Sequence, residues 1–342
     1  MLQNDGTSTF EDLIACFDTY TVFQGYYSDE TYAAAQPTPE QLHGWEDLVS
    51  SLLSVDRNCT SVVVPESIAQ IHEVSLFNDS MGPQYCIASE IYSVNGVYAK
   101  GWGFLAVPAA QEAIKRNLHF AAPHPAYDLF TPEQAGALFK STGARSLLIA
   151  GRHRMASPAP SDCVVPTSNT TIYYKTDPAH NVAEPFFSAS ETIREWQRAH
   201  GGCPAPSCAF VQMHGKKSTT CPTDTLFLSS GLGRGASSVA WYTGPADRPI
   251  KRLTAELASK FPTWKVSLPS DSDCRLTATE NVFGRLVNGI AAQSVCTTFA
   301  SADSATGEFV HIEQAAVARG EEAYHGWTAA LLAAFSPAAA YT

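Results

Sequence analysis

The stretch Ala121-Ala122-Pro123-His124-Pro125-Ala126-Tyr127-Asp128-Leu129-Phe130-Thr131 lies between an apolar run and a helix start. Upstream, Leu118 to Ala122 reads as a short buried strand. Downstream, Thr131-Pro132-Glu133-Gln134 supplies a capping hydroxyl, a proline at the first helical position and acid in the first turn. His124 and Asp128 therefore belong to a strand-to-helix loop. In an open α/β sheet such a loop lies at the carboxyl end of a strand, where ligands bind. An imidazole and a carboxylate four positions apart, stiffened by Pro123 and Pro125, can give a divalent metal two of its protein ligands. The remaining ligands must come from other segments.

Working outward, Ser146-Leu147-Leu148-Ile149-Ala150 is a continuous apolar strand of the kind buried on both faces, with Gly151-Arg152-His153-Arg154 at its carboxyl end. Cys208 to Met213 is another strand, ended by His214-Gly215, and Thr225 to Ser229 a further one. Gly307 to Glu313 alternates, which places Phe309, His311 and Glu313 on one face and Val310 and Ile312 on the other. Helical patterns cover Pro132 to Lys140, Ser188 to His200, Ala246 to Phe261 and Gln314 to Phe335. Strands and helices alternate from about residue 100, which predicts an α/β fold with a mostly parallel, mixed central sheet and helices on both faces. Before that, Thr9 to Thr19 and Thr38 to Ser54 read as helices, and Asn95-Gly96 as the turn of an antiparallel edge pair. Residues 1–95 are expected to form a helical N-terminal cover, not an independent domain, packed on a catalytic domain of residues 96–342.

Composition excludes several function classes. Of 342 residues, 45% are hydrophobic and 16% charged, enough for a sizeable core. The net charge of -11 and the lack of a basic run argue against nucleic acid as a partner. No apolar run is long enough to span a bilayer, and Met1-Leu2-Gln3-Asn4-Asp5 has neither the basic nor the apolar region of a signal peptide. Nine cysteines without a CxxC pair, together with sequons at Asn58, Asn78 and Asn169, point instead to a secreted, disulfide-bonded glycoprotein. Four bridges and one free thiol are expected. Cys203 with Cys208, Cys59 with Cys86 and Cys274 with Cys296 are plausible pairs, and Cys221 competes for the Cys203–Cys208 loop.

Three strand ends carry groups suited to metal chemistry: His124 with Asp128, His214, and Glu313. Two imidazoles and a carboxylate leave a fourth position on zinc open, the usual arrangement of a catalytic site. Glu313 is then free to act as general base. His180 is a candidate contact to substrate or metal, and His311 shares the Glu313 face. Arg152, Arg154, Arg285 and Arg319 lie near strand ends or on the last helix, where a guanidinium can hold an acidic substrate group. There is no Gly-x-Ser-x-Gly elbow, His-Glu-x-x-His helix or phosphate-binding Gly-x-x-x-x-Gly-Lys loop, and Gly231 to Gly235 is read as a turn.

In order along the chain, Pro123-His124-Pro125, Ala150-Gly151-Arg152-His153-Arg154, Gln212-Met213-His214-Gly215, Thr223-Asp224-Thr225, Asn281 to Gly289 and His311-Ile312-Glu313-Gln314 resemble the N-formylglutamate amidohydrolase-like zinc hydrolases, related in fold to carboxypeptidase A. The resemblance spans about residues 95 to 335. It implies a phosphorylase/hydrolase-like fold, zinc held by His124, Asp128 and His214, and Glu313 as the catalytic carboxylate. His-Pro-Ala-Tyr-Asp departs from the His-x-x-Glu of the carboxypeptidases. The implied reaction is hydrolysis of an amide bond in a peptide or small N-acyl substrate, or of an ester. An anionic substrate group is expected on Arg154 or Arg285, which lie in matching segments. A binding protein that keeps the fold without catalysis is the alternative.

Overall fold

Thr9 and Thr38 each stand three residues before a side chain that can bond back to them, and both serve as reciprocal caps in the computed structural model, which describes residues 7–169 and 171–338. The stretch Met1 to Asp5 and the middle residue of the Asn169 sequon lie outside the described residues. The capped helices are α1 (Phe10–Asp18), α2 (Asp29–Ala35) and α3 (Pro39–Leu53). Strands β1 (His72–Asn78), β2 (Gln84–Glu90), β3 (Ser93–Val94), β4 (Val97–Tyr98), β5 (Phe104–Pro108) and β6 (Asn117–Ala122) follow, then α4 (Thr131–Thr142) and β7 (Ser146–Ile149). The second half contains α5 (Pro185–Ala199), β8 (Cys208–Gly215), β9 (Leu226–Ser229), α6 (Ala236–Thr243), α7 (Pro249–Lys260), β10 (Val266–Ser267), α8 (Val282–Val287), β11 (Phe309–Gln314) and α9 (Tyr324–Ala334).

Nine of these strands form one mixed sheet in the order β1-β2-β5-β7-β6-β8-β11-β9-β10. Its centre, β7-β6-β8-β11, is parallel, while β1, β2 and β5 pair antiparallel on one side and β9 runs antiparallel to β11 on the other. Because side chains alternate across the sheet, each central strand feeds two cores. Phe120, Val211, Met213, Val310 and Ile312 pack with residues of α1, α4, α7 and α9, whereas Leu148, Phe210 and Phe309 pack with α3, α5 and α8. The expected α/β class, with helices on both faces, is what the chain adopts.

Several local expectations are revised. Asn95 and Gly96 do make a tight turn, with φ of 55° and 79°, but it joins only the short β3 and β4, and β2 pairs instead with β5 and with the unexpected β1. Thr131 is not the cap of α4. Phe130 takes that place in the left-handed region, and the Thr131 hydroxyl donates to the Asp128 carbonyl at 2.7 Å. The last helix does not follow β11 directly, since two single turns at Ala316–Ala318 and Glu321–Ala323 come first. The bridges are Cys59–Cys86, Cys203–Cys208, Cys163–Cys296 and Cys221–Cys274, so the pairing of Cys274 with Cys296 is replaced, and Cys16 is free. No helix among the described residues is long and apolar enough to cross a membrane.

Candidate metal centre

The parallel centre of the sheet brings the carboxyl ends of β7, β6, β8 and β11 to one edge, and the loops that leave them carry the polar residues. His214 and Glu313 stand side by side in register on β8 and β11. His124 follows β6 by two residues. Its loop doubles back tightly, with the Asp128 amide donating to the His124 carbonyl at 2.9 Å and Ala126 in the left-handed region at φ 59°. This turn presents the Asp128 carboxylate to the His124 ring. A non-glycine residue held at positive φ costs of order 1 kcal/mol, tolerated here in the loop that shapes the site.

His124, Asp128 and His214 are all at most 3% exposed and converge on one point. His124 Nδ1 lies 3.0 Å from Asp128 Oδ2, His214 Nδ1 lies 3.2 Å from His124 Nδ1, and His214 Nδ1 lies 3.4 Å from Asp128 Oδ2. Zinc bonds of about 2.0–2.1 Å in a tetrahedron would set ligand atoms roughly 3.3 Å apart. The three measured separations match that edge length. Two imidazole nitrogens facing each other across such a gap, with a carboxylate oxygen completing the triangle, form a donor set that suits a divalent cation.

The other side of His124 is also held. Its Nε2 lies 3.0 Å from Asp177 Oδ1, and Asp177 is fully buried. Arg154 bonds Asp177 Oδ2, His180 Nδ1 approaches that oxygen to 3.1 Å, and the Ala179 amide donates to Oδ1 at 3.2 Å. A carboxylate behind a metal-binding imidazole fixes its tautomer and its direction. Burial works against ionisation of Asp177, but Arg154, His180 and His124 outweigh it and hold the carboxyl well below its usual range. Burial likewise opposes Asp128, and His124 and His214 outweigh it, so Asp128 is held low. Burial, with His124 beside it, pushes His214 down to about 4. At neutral pH the centre presents an anionic oxygen and at least one neutral ring.

Glu313 stands beside His214 on the neighbouring strand. Burial first, and the Asp128 charge second, push its carboxyl up to about 8. One oxygen of Glu313 lies 3.5 Å from His311 Nε2, and the His311 ring lies tilted against His214 with centroids 4.5 Å apart. His214, His311 and Glu313 form a second group with ligand-type atoms within 4.8 Å of one another.

The sequence candidates thus divide. His124, Asp128, His214, Glu313, Arg154 and His180 meet in one network, although Arg154 is committed to Asp177 and His180 is stacked on Tyr173 with centroids 3.6 Å apart. Arg152 is elsewhere, pairing with Glu184 at 2.7 Å and with the Ala35 and Lys100 carbonyls. Arg285 is 2% exposed and donates to the carbonyls of Thr279, Val295 and Cys296. Both are scaffold arginines. Asp177 is not legible in the sequence, because an Asp-Pro turn 53 residues from His124 has no local pattern that ties it to a metal. Arg319 is the arginine left over. It is 8% exposed, gives one bond to the Leu129 carbonyl at 2.6 Å, and its Nε has no partner among the described residues. A Cβ at position 215 would come within 2.3 Å of Arg319 Nη1, so the glycine after His214 makes room for this guanidinium.

No protein-family model and no curated protein matches the sequence. Among solved structures, a chain from Shewanella denitrificans OS-217, named provisionally as a carboxypeptidase A, superposes with a TM-score of 0.34 at 11% identity, covering 87% of this chain and 69% of that one. A likeness of that size carries no argument about activity.

Proposed function

We propose that the protein is a secreted, zinc-dependent hydrolase that cleaves an amide bond in a peptide or small N-acyl substrate. One observation carries the reading: the triangle of His124 Nδ1, His214 Nδ1 and Asp128 Oδ2 has edges of 3.0, 3.2 and 3.4 Å. Zinc, when bound by these three residues, supplies a Lewis acid for a carbonyl oxygen and makes water more acidic. Asp177 keeps His124 turned so that Nδ1 faces the triangle. Glu313, in register beside His214, takes the proton from the attacking water and passes it to the leaving nitrogen. Arg319 receives an anionic substrate group in place of Arg154 and Arg285, whose donors are committed to Asp177 and to backbone carbonyls. Four disulfides support an oxidising compartment.

The test has two parts. Purified protein stripped with chelator and reloaded should take up zinc, and Glu313→Gln should keep that zinc while kcat on an amide panel falls about 10²- to 10⁴-fold. Absence of zinc uptake would overturn the reading. Turnover of esters but not amides would move the substrate class. Full zinc occupancy with no turnover of either would leave a binding protein, in which Glu313 has no catalytic task.

A further inference from the structure

A cavity of about 100 Å³, which shares no residue with the metal centre, lies between α1 and the turn that leads from β2 to β4. Aromatic residues dominate its lining: Phe17 of α1, Tyr20 just beyond that helix, Tyr92 of the turn and Tyr98 of β4. Glu90, the last residue of β2, also lines it. Backbone bonds tie the rings together. The Tyr98 amide donates to the Tyr20 carbonyl at 2.8 Å, the Tyr98 hydroxyl to the Phe17 carbonyl at 3.2 Å, and the Ala99 amide to the Tyr92 carbonyl at 3.2 Å. The Tyr20 and Tyr98 rings lie with centroids 6.0 Å apart and planes inclined at 42°. Phe17 and Tyr98 are buried, whereas Tyr92 is 61% exposed and marks the mouth.

Glu90 is buried, and its oxygens accept from the Lys100 amide at 2.7 Å and the Trp102 amide at 2.8 Å. These donors are neutral. The guanidinium of Arg152 is paired with Glu184 at 2.7 Å, and the Lys100 ammonium donates to the Ala34 carbonyl at 2.6 Å. Glu90 has no ion pair of its own among the described residues. One guanidinium therefore serves two buried carboxylates. Burial outweighs the amides and Arg152 and raises the Glu90 carboxyl above its ordinary value. The Tyr98 hydroxyl is also held high, by burial first and then by the charges of Glu90 and Asp18. Buried charges are normally paired, and the partner lacking here is a cation. Aromatic rings attract cations to their faces, so the lining favours the same sign.

We infer that this cavity is a binding site for a quaternary ammonium head group of the trimethylammonium type. Liquid water takes about 30 Å³ per molecule, so the cavity has room for roughly three waters or one such head group. A quaternary ammonium carries charge without N–H donors. That suits a cage of rings whose one carboxylate already bonds two backbone amides. A primary ammonium brings hydrogen-bond donors that rings satisfy poorly, and a neutral head of the same shape leaves the negative charge uncompensated.

The experiment is independent of zinc and of turnover. The intact protein is titrated calorimetrically with choline, with the uncharged isostere of choline in which carbon replaces nitrogen, and with ethanolamine. Choline should bind at a single site, at least about tenfold more tightly than either of the others. Tyr92→Ala, at an exposed position, should weaken choline about tenfold without lowering Tm. Glu90→Gln keeps the shape and should cut the preference for choline over the isostere to about threefold or less. If that variant does not fold, Asp18→Asn should lower the same preference by about twofold or more. No binding of choline, equal affinity for the isostere, tighter binding of ethanolamine, or unchanged choline affinity in Tyr92→Ala overturns the inference. Sedimentation with phosphatidylcholine vesicles, reversed by choline, supports the site and assigns the head group to a lipid. Choline binding without vesicle binding supports it and assigns the head group to a free solute.

Discussion

Asp177 illustrates how much a single buried carboxylate can organise. It meets His124, His180 and Arg154, and so joins the loop after β6 to the loop after β7 and to the turn that precedes α5. Its role toward a metal is indirect, through the orientation of His124. Asp177→Asn keeps the shape and removes the charge, and is expected to weaken zinc binding about 10- to 100-fold, read by competition with a chelator. Affinity unchanged within threefold would show that His124 holds its direction without help. Gly215 poses a different question at the same scale. Gly215→Ala forces Arg319 away from its position against β8, and is expected to raise KM for an anionic substrate more than it lowers kcat. An equal effect on a neutral analogue would assign Arg319 to packing alone.

Among the elements, β1 and α3 share an unusual contact. His72 of β1 lies between Trp45 of α3 and Trp102, with ring centroids 4.9 and 5.3 Å away, and neither ring nitrogen has a partner among the described residues. Burial pushes this imidazole down to about 3 from an ordinary value of 6.5. Because the folded value is depressed, the contribution to stability is complete above pH 6.5 and is lost as pH falls toward 3. Across that window the unfolded chain takes up one more proton at this residue, a slope of about 1.4 kcal/mol per pH unit. His72→Phe should remove that part of the acid dependence, measured by urea unfolding at pH 7, 5 and 4. Parallel stability curves for the two proteins would rule it out.

The same elements explain what could be read in advance. Strands β6, β7 and β8 announce themselves as apolar runs because they are buried on both faces, β11 shows itself by alternation, and their polar ends, His124, His214 and Glu313, follow from that reading. Strand β1 does not, since an edge strand of sequence His-Glu-Val-Ser-Leu-Phe-Asn is half polar and lacks clean alternation. The start of α9 is not legible either, because an alanine-rich run gives the same helical signal whether it forms a helix or two separate turns. Arginine roles were the least legible. Arg154, Arg285 and Arg319 look alike in sequence, and only the carbonyls and carboxylates packed around each one separate them.

For the molecule as a whole, the N-terminal helices and the sheet form one fabric. Tyr32 of α2 bonds Glu184 at 3.0 Å, Trp45 of α3 bonds the Pro185 carbonyl at 3.1 Å, and Arg152 joins Glu184 to carbonyls at Ala35 and Lys100. Disulfides add cross-links, each typically contributing about 2–4 kcal/mol. Thiol titration of the denatured, unreduced protein is expected to find one reactive group, Cys16, of the nine cysteines. Two or more free groups would mean that a bridge is open in solution.

The bridge between Cys163 and Cys296 encloses the segment after β7, where Val165 is 81% exposed, and closes a span of 133 residues. Suppose a proteinase severs the backbone just after Val165. His124, Asp128 and Arg154 then belong to one fragment, and Asp177, His214 and Glu313 to the other, yet the two remain covalently joined. Such a nicked protein should migrate as one species without reductant and as two with it, and, if first loaded with zinc as proposed, should hold the metal in both the intact and the nicked form until the bridge is reduced. The cut divides the residues of the candidate metal site between the two fragments, so resistance to a cut at this exposed loop is secured by one sulfur–sulfur bond.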